Sequence, residues 1–99
     1  MRLYVLNAND LLETEHLDLA FLPSEESIPS ELGLCTQLQF LNLAGSFLTG
    51  TLPSELGNLS ELRTLILYGN QEMSGTVPPE YAKLSKLETF NIDSTKISS

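Results

Sequence analysis

The chain carries few of the side chains from which catalytic sites are built. It has one cysteine, Cys35, and one histidine, His16. A nucleophile pair needs a base beside the thiol, and a zinc site needs several imidazole or thiolate ligands. No neighbouring base or cation in the sequence would lower the pKa of Cys35. We therefore predict no catalytic residue, no metal site and no cofactor, and a histidine that is either solvated or packed. The sequence does not indicate an enzyme.

The charge balance is strongly acidic, with 13 aspartates and glutamates against 5 lysines and arginines and a net charge of −8. A nucleic-acid partner is disfavoured because its phosphates would be repelled. A cationic partner would be attracted to the acidic N-terminal end, although solubility alone explains the surplus equally well. No apolar stretch is long enough to cross a bilayer, and the first ten residues lack the apolar region of a secretion signal.

Asn58-Leu59-Ser60 is an N-glycosylation sequon. Asn58 occupies the same repeat position as Leu34 and Lys83, and we expect this position to face solvent. Such tripeptides are common by chance, and Ser60 could instead bond to the nearby backbone at a turn. Both interpretations stay open at this point, so Asn58 is a possible glycosylation site.

A unit of about 24 residues recurs three times, over residues 28–51, 52–76 and 77–99. Residues 1–27 keep its phase, with a strand-like Leu17-Asp18-Leu19, but few of its fixed positions. They predict a degenerate repeat or an N-terminal cap. Together these segments predict one domain over residues 1–99. The last unit is incomplete, which leads us to expect a fragment or a short array.

Each unit predicts a short strand with one buried face. From Leu62 the sequence reads L-x-x-L-x-L-x-x-N, and the alternation at Leu65 and Leu67 is typical of a strand that pairs in parallel with the next repeat. Equivalent positions form apolar columns that should fill the core. The columns are Leu41, Leu65 and Phe90; Leu43, Leu67 and Ile92; and Cys35, Leu59 and Leu84. Cys35 is accordingly predicted to be a small buried hydrophobe.

Asn70 ends the strand motif, where its side-chain amide can satisfy backbone groups as the strand turns into the loop. The same position holds Ser46 and Thr95, which can bond less completely, and Leu22, which cannot bond at all. We expect the ladder of asparagine amides to be broken on both sides of Asn70.

Residues 38–57 carry the strand motif followed by x-L-[ST]-G-x-[IL]-P-x-x-L-G, with Ser46 in place of asparagine as the one departure. This pattern resembles the plant-type leucine-rich repeat of receptor-like proteins and receptor-like kinase ectodomains. The resemblance implies an α/β repeat solenoid, a right-handed superhelix with short parallel strands on its concave face and short 3₁₀ or α turns on its convex face. It also implies an extracellular or cell-surface location. The single cysteine cannot form the paired-cysteine caps of extracellular family members.

Outward-facing strand positions of such a solenoid form a concave surface able to bind another protein. Phe40, Ile66 and Tyr68 put apolar area there that folding does not require, so we predict a protein or peptide partner. The predicted partner-binding residues are Phe40, Asn42, Thr64, Ile66, Tyr68, Thr89, Asn91 and Asp93. We expect His16, Asp18, Ala20 and Ala44 to face solvent beside them.

Other interpretations of the surface remain. Scattered exposed hydrophobes are normal and need no partner. Rows such as Thr51 and Thr76 suit a structural or surface-adsorbing solenoid that binds polysaccharide or ice. The chain could also be part of a receptor-like kinase whose kinase lies outside it. Glu31, Glu55 and Glu80 recur after the prolines, where they either complement the positive end of each short turn or form an acidic docking stripe.

Overall fold

A computed structural model describes residues 12–21 and 26–98. The described residues do not include 1–11 and 22–25 of the predicted degenerate repeat, so Leu22 lies outside them, as does Ser99. Within these ranges the chain forms short strands and short 3₁₀ helices. The strands are β1 His16–Asp18, β2 Phe40–Asn42, β3 Thr49–Gly50, β4 Thr64–Ile66, β5 Glu72–Met73 and β6 Thr89–Asn91. The 3₁₀ helices are Ser30–Leu34, Ser54–Asn58 and Pro79–Lys83.

The main sheet is parallel, in the order β1-β2-β4-β6. Its register places Leu17 opposite Leu41, and Leu41 opposite Leu65. Leu65 in turn lies opposite Phe90. Equivalent positions of successive repeats are therefore direct neighbours, which confirms the predicted solenoid. The strand expected at 17–19 forms at His16–Asp18 instead, whereas the division into a degenerate unit and three repeats stays a prediction.

Each 3₁₀ helix begins after a proline, and the proline ring fixes φ close to the value that such a start needs. The φ is −71° at Pro29 and −72° at Pro53. Apolar residues recur at three-residue steps from the helix into the turn that follows it, as Leu32, Cys35 and Leu38 do, and this spacing suits a short 3₁₀ helix. All three of these side chains are fully buried. No side-chain cap bond closes the first turn of the helix that follows Pro53.

A second, two-stranded parallel sheet pairs β3 with β5, with Thr49 opposite Glu72 and Gly50 opposite Met73. The repeat pattern did not predict this sheet. Gly50 has a φ of 79°. Glycine adopts this left-handed conformation without a steric penalty. The small sheet lies between the main strands and the 3₁₀ helices along the chain, so each coil of the solenoid has three faces.

The core is the set of stacked leucine columns. Leu41, Leu43, Leu65 and Leu67 are fully buried, and Cys35 is fully buried beside them. Phe90 and Ile92, in the last coil, are partly buried and pack against this cluster. These burials confirm the predicted columns and the assignment of Cys35 to the core.

Asn70 is fully buried and uses its whole hydrogen-bonding capacity. Its Oδ1 accepts from the backbone N–H of Ser46 at 3.1 Å and of Leu48 at 3.0 Å. Its Nδ2 donates to the carbonyls of Leu43 and Leu67, both at 2.9 Å. One side chain thereby ties its own coil to the preceding one at several points.

The equivalent hydroxyl residues bond less completely, as predicted. Ser46 Oγ donates to the carbonyl of Leu19 at 2.9 Å. Thr95 Oγ1 donates to the carbonyl of Ile92 at 2.6 Å and accepts from the N–H of Ile97 at 3.2 Å. The amide ladder is therefore replaced by hydroxyls on both sides of Asn70.

Candidate recognition surface

Side chains at alternate positions of the main sheet form two rows across its strands, because the strands pair in register, and a third row follows beyond the strand ends. The first row is His16, Phe40, Thr64 and Thr89. The second row is Asp18, Asn42, Ile66 and Asn91. The third row lies two residues after the second in each coil and consists of Ala20, Ala44, Tyr68 and Asp93. All eight predicted partner-binding residues thus lie in these rows on one surface.

An aromatic stack occupies the start of the first row. The rings of His16 and Phe40 are parallel within 2°, with centroids 4.2 Å apart. His16 is thus exposed to solvent and also stacks on one face of Phe40. The stack reduces the apolar area that Phe40 offers to a ligand, and Phe40 is only partly exposed.

Polar residues of the second row close the turns that follow their own strands. Asp18 Oδ1 accepts from the N–H of Ala20 at 3.2 Å, and Asn42 Oδ1 accepts from the N–H of Ala44 at 3.1 Å. Asn91 makes the same bond at 2.9 Å, to the N–H two residues on. These side-chain oxygens support the fold. The two asparagines still carry N–H donors that a ligand can use.

Ile66 interrupts the second row, because an isoleucine cannot accept a hydrogen bond from the following turn. It is partly exposed, and Tyr68 beside it is 50% exposed. Neither side chain contributes to the buried core. The concave surface therefore has its apolar centre at Ile66 and Tyr68 rather than at Phe40.

One prediction for this surface was wrong. Ala44 was expected to face solvent, but it is only 7% exposed. It lies beyond the end of β2, in the turn that Asn42 closes. A single methyl group at this tight turn has little accessible surface between the flanking coils. Ala20, at the same position one coil earlier, is also partly buried.

Two exposed phenylalanines were not predicted from the sequence to be functional residues. Phe21 is 77% exposed and Phe47 is 68% exposed. Both have positive φ, 61° and 57°. Such values are uncommon for a bulky residue. A Cβ on Gly45 would lie 2.8 Å from ring carbons of Phe21, so the ring rests directly on that glycine. In the sequence, the only sign of these two residues was that each is an aromatic residue at a position where the repeat has no fixed residue.

Salt bridges and side-chain hydrogen bonds connect the second and third repeats. Arg63 lies 3.2 Å from Glu88, and Lys86 pairs with Glu61. Lys86 lowers the pKa of Glu61 by a hydrogen bond and by its charge. The four cations of the described residues thus have partners in a neighbouring coil, since Lys83 donates to Asn58 and Lys96 lies near Glu72. Acidic residues are left in excess on the surface.

The Leucine Rich Repeat family matches residues 37–59. The strands of residues 12–21 and 26–98 repeat the matched unit in register. The fold of this chain is that of a leucine-rich repeat solenoid. It is 44% identical over 64 residues to the Receptor-like protein EIX1 of Solanum lycopersicum, a match that covers 61% of this chain and 6% of that protein.

Solved structures of plant receptors have the same fold. One is the leucine-rich repeat ectodomain of the membrane receptor kinase GASSHO1/SCHENGEN3 from Arabidopsis thaliana, in complex with CASPARIAN STRIP INTEGRITY FACTOR 2. It matches with a TM-score of 0.84 and 37% sequence identity, and the match covers 91% of this chain and 11% of that chain. The plant peptide hormone receptor RGFR1, in complex with RGF2, matches with a TM-score of 0.70 and 40% identity over 73% of this chain and 11% of that chain. This leucine-rich repeat segment spans about a tenth or less of the length of these relatives.

Asn58 lies at the end of the second 3₁₀ helix and is exposed, as predicted. Its Oδ1 accepts a 3.4 Å hydrogen bond from Lys83 Nζ on the surface. The 3₁₀ helix lies away from the strands, so a glycan here would leave the concave surface open. Glycosylation of Asn58 stays a prediction.

In the described part of the leucine-rich repeat chain, no cluster of three or more histidine, cysteine or acidic side chains is arranged to hold a metal ion. The described residues also include no helix with the length and apolarity to span a membrane.

Cys35 should react with a thiol reagent only after unfolding. It is fully buried, and burial raises the pKa of its thiol, so both access and thiolate formation are suppressed. We expect Ellman's reagent to modify the native protein at least about a hundredfold more slowly than the protein in guanidinium chloride, because opening the core costs several kcal/mol. Equal rates in the two conditions would contradict this burial.

Proposed function

We propose that this chain is a non-catalytic recognition module that binds a protein or peptide along its concave surface. The observation that supports the proposal is the pair of Ile66 and Tyr68. Ile66 occupies a row in which the other coils carry Asp18, Asn42 and Asn91, which close their own turns. Its apolar side chain therefore gives up a local hydrogen bond and adds nothing to the buried core. Exposed apolar and aromatic groups of this kind are frequent anchors in interfaces.

The relatives support the same kind of partner. The GASSHO1/SCHENGEN3 ectodomain and RGFR1 were each solved in complex with another molecule, and RGFR1 is a peptide hormone receptor. We infer by this likeness that our chain serves extracellular or cell-surface recognition. This chain spans only a small share of each relative. That a kinase or a further domain accompanies it in a parent protein is therefore also a proposal.

The chemistry of the surface favours an extended, basic peptide. Four parallel strands present their side chains in rows, which suits a ligand that crosses the strands. Asn42 and Asn91 flank the apolar centre with amide N–H donors that a peptide carbonyl can accept. The net charge of −8 attracts a cationic ligand and repels an acidic one.

The test is selection of peptides from a random phage-displayed library on the wild-type protein, followed by affinity measurement on variants. Ile66→Asn introduces the asparagine that the two neighbouring coils carry at this position. It should therefore remove the apolar centre without harming the fold. We expect Ile66→Asn and Tyr68→Ala each to weaken the selected peptides by about tenfold or more.

Leu34→Ala is the matched control, because Leu34 is 56% exposed but lies on a 3₁₀ helix. It should leave peptide affinity unchanged, and circular dichroism should show that all three variants fold. The proposal is wrong if the selected peptides bind Ile66→Asn and Tyr68→Ala as tightly as wild type, or if selection enriches no peptide.

A further inference from the structure

We propose that the groove beside Phe47 is a subsite for one arginine side chain of the bound partner, an inference that rests on the proposed function. The groove has a volume of about 240 Å³ and is lined by Phe47, Gly69, Gln71 and Glu72. It offers an aromatic ring, an amide and a carboxylate, and Gly69 adds no side chain that would fill it. These groups together match the chemistry of a guanidinium.

Phe47 has an unusual conformation for the side chain it carries. Its φ is 57° and the residue is 68% exposed. A left-handed φ of this kind is sterically costly for a bulky residue. Gln71 and Lys96, at the same position in the next two coils, do not adopt this conformation. Strained residues of this kind concentrate at ligand-binding sites. The fold alone gives no reason to expose a phenylalanine here.

An arginine fits the groove better than another residue. Its planar guanidinium stacks on aromatic rings and also pairs with carboxylates through parallel N–H donors. Phe47 supplies the ring and Glu72 supplies the carboxylate in one groove. A lysine ammonium would gain the charge attraction but not the planar stacking.

Glu72 is available to a ligand because its present ion pair is weak. Lys96 Nζ lies 4.0 Å from Glu72 Oε2, and both side chains are about two-thirds exposed, at 66% and 71%. Exposed pairs at this distance contribute little stability. An incoming guanidinium can therefore replace Lys96 as the partner of Glu72.

The adjoining groove identifies the side on which the cation binds. That groove has a volume of about 340 Å³ and is lined by Gln71, Ser94, Thr95 and Lys96. Lys96 would repel a guanidinium there. Gln71 lines both grooves, so the arginine is directed to the side that holds Phe47 and Glu72.

The subsite is continuous with the concave surface. Gly69 lines the groove and directly follows Tyr68, an exposed residue of the proposed binding centre. A peptide that packs against Tyr68 can therefore extend an arginine into the groove from a neighbouring position. The net charge of −8 favours the approach of such a peptide.

The test is an NMR titration of the isotope-labelled protein with N-acetyl-L-arginine amide, which needs no knowledge of the natural partner. We expect saturable shifts of the backbone amides of Gly69 and Glu72 and of the Phe47 ring. N-acetyl-L-citrulline amide, which has nearly the same shape but no charge, should produce no saturable shift at these positions.

Variants separate the two contacts. Phe47→Leu keeps an apolar side chain without the ring and should weaken binding about two- to fivefold. Glu72→Gln should weaken it by a similar factor. Lys96→Gln should strengthen it, because the competing cation is removed. Leu34→Ala should have no effect, since Leu34 lies on a 3₁₀ helix away from the groove.

The inference is overturned if citrulline amide produces the same shifts, or if Phe47→Leu and Glu72→Gln bind arginine amide as wild type does. Its failure differs from failure of the proposed function. If arginine amide does not bind while Ile66→Asn still abolishes peptide binding, the subsite alone is wrong. If arginine amide binds but the selected peptides are insensitive to Ile66→Asn and Tyr68→Ala, the concave binding site is wrong.

Discussion

Asn70→Ala should lower the free energy of unfolding by about 4 kcal/mol, since each buried polar group left without a partner costs about 1–3 kcal/mol. The substitution removes four hydrogen bonds of 2.9–3.1 Å from a fully buried side chain. It leaves the N–H groups of Ser46 and Leu48 and the carbonyls of Leu43 and Leu67 without this partner. Urea unfolding followed by circular dichroism measures the loss.

Asn91→Ala is the matched control, because Asn91 is an asparagine of the next coil that makes one bond near the surface, to the N–H of Asp93. It should cost about 1 kcal/mol or less. Asn70→Asp should cost at least as much as Asn70→Ala, since it keeps the acceptor but buries a carboxylate oxygen against the carbonyls of Leu43 and Leu67. An equal loss in Asn70→Ala and Asn91→Ala would show that the buried amide does not hold the coils together.

The effect should be large because Asn70 connects different coils. Its bonds to Ser46, Leu48 and Leu43 span 22 to 27 residues along the chain. In a solenoid each repeat contacts only its neighbours, so stability depends on such interfaces between coils. Loss of one interface should also reduce the cooperativity of unfolding, which the slope against urea concentration reports.

The core could be predicted from the sequence because the leucine columns repeat in phase. Leu41 and Leu65 lie opposite each other in the sheet, as their spacing predicts, and both are fully buried. The role of Asn70 was predictable for the same reason, since an amide at the end of a strand motif has backbone groups to satisfy. The repeat thus determines the side chains that face inward.

The recognition surface was less predictable because it depends on contacts between positions that the repeat leaves variable. The stacking of His16 on Phe40 requires the strand register as well as the residue types. The positive φ of Phe47 occurs at a position that no fixed residue of the motif encodes. Ala44 was expected to be exposed because it continues the alternation of β2, but it lies in the turn after the strand and is only 7% exposed.

A further distinction separates folding residues from candidate binding residues in this chain. Asp18, Asn42 and Asn91 were identified as outward and polar, but their side chains also close turns of the backbone. Ile66 has no such role. An outward residue that departs from its own row is therefore a better indicator of binding than an outward polar residue that conforms to it.

Gly57→Ala should lower the free energy of unfolding by about 2 kcal/mol, within the range for overpacking a close contact. A Cβ at Gly57 would lie 2.7 Å from the carbonyl oxygen of Glu80 in the next 3₁₀ helix and 2.8 Å from its Cβ. The obstacle includes backbone, which cannot rotate away. The φ of Gly57 is outside the left-handed region, so the close approach between coils, and not the backbone conformation, requires glycine.

Whether Gly57→Ala destabilises or stabilises the protein distinguishes the close contact between coils from the entropy of the unfolded chain. At a position of ordinary φ, replacing glycine by alanine usually stabilises a protein by about 0.4–1 kcal/mol, because the unfolded chain loses freedom. Ala82 holds the same position in the third 3₁₀ helix and is exposed, so Ala82→Gly should cost no more than this amount. Gly33→Ala should behave like Gly57→Ala, since its Cβ would lie 2.6 Å from the carbonyl oxygen of Glu55. Stabilisation by Gly57→Ala in urea unfolding would mean that the coils can separate at little cost, and that the glycine is not what sets their spacing.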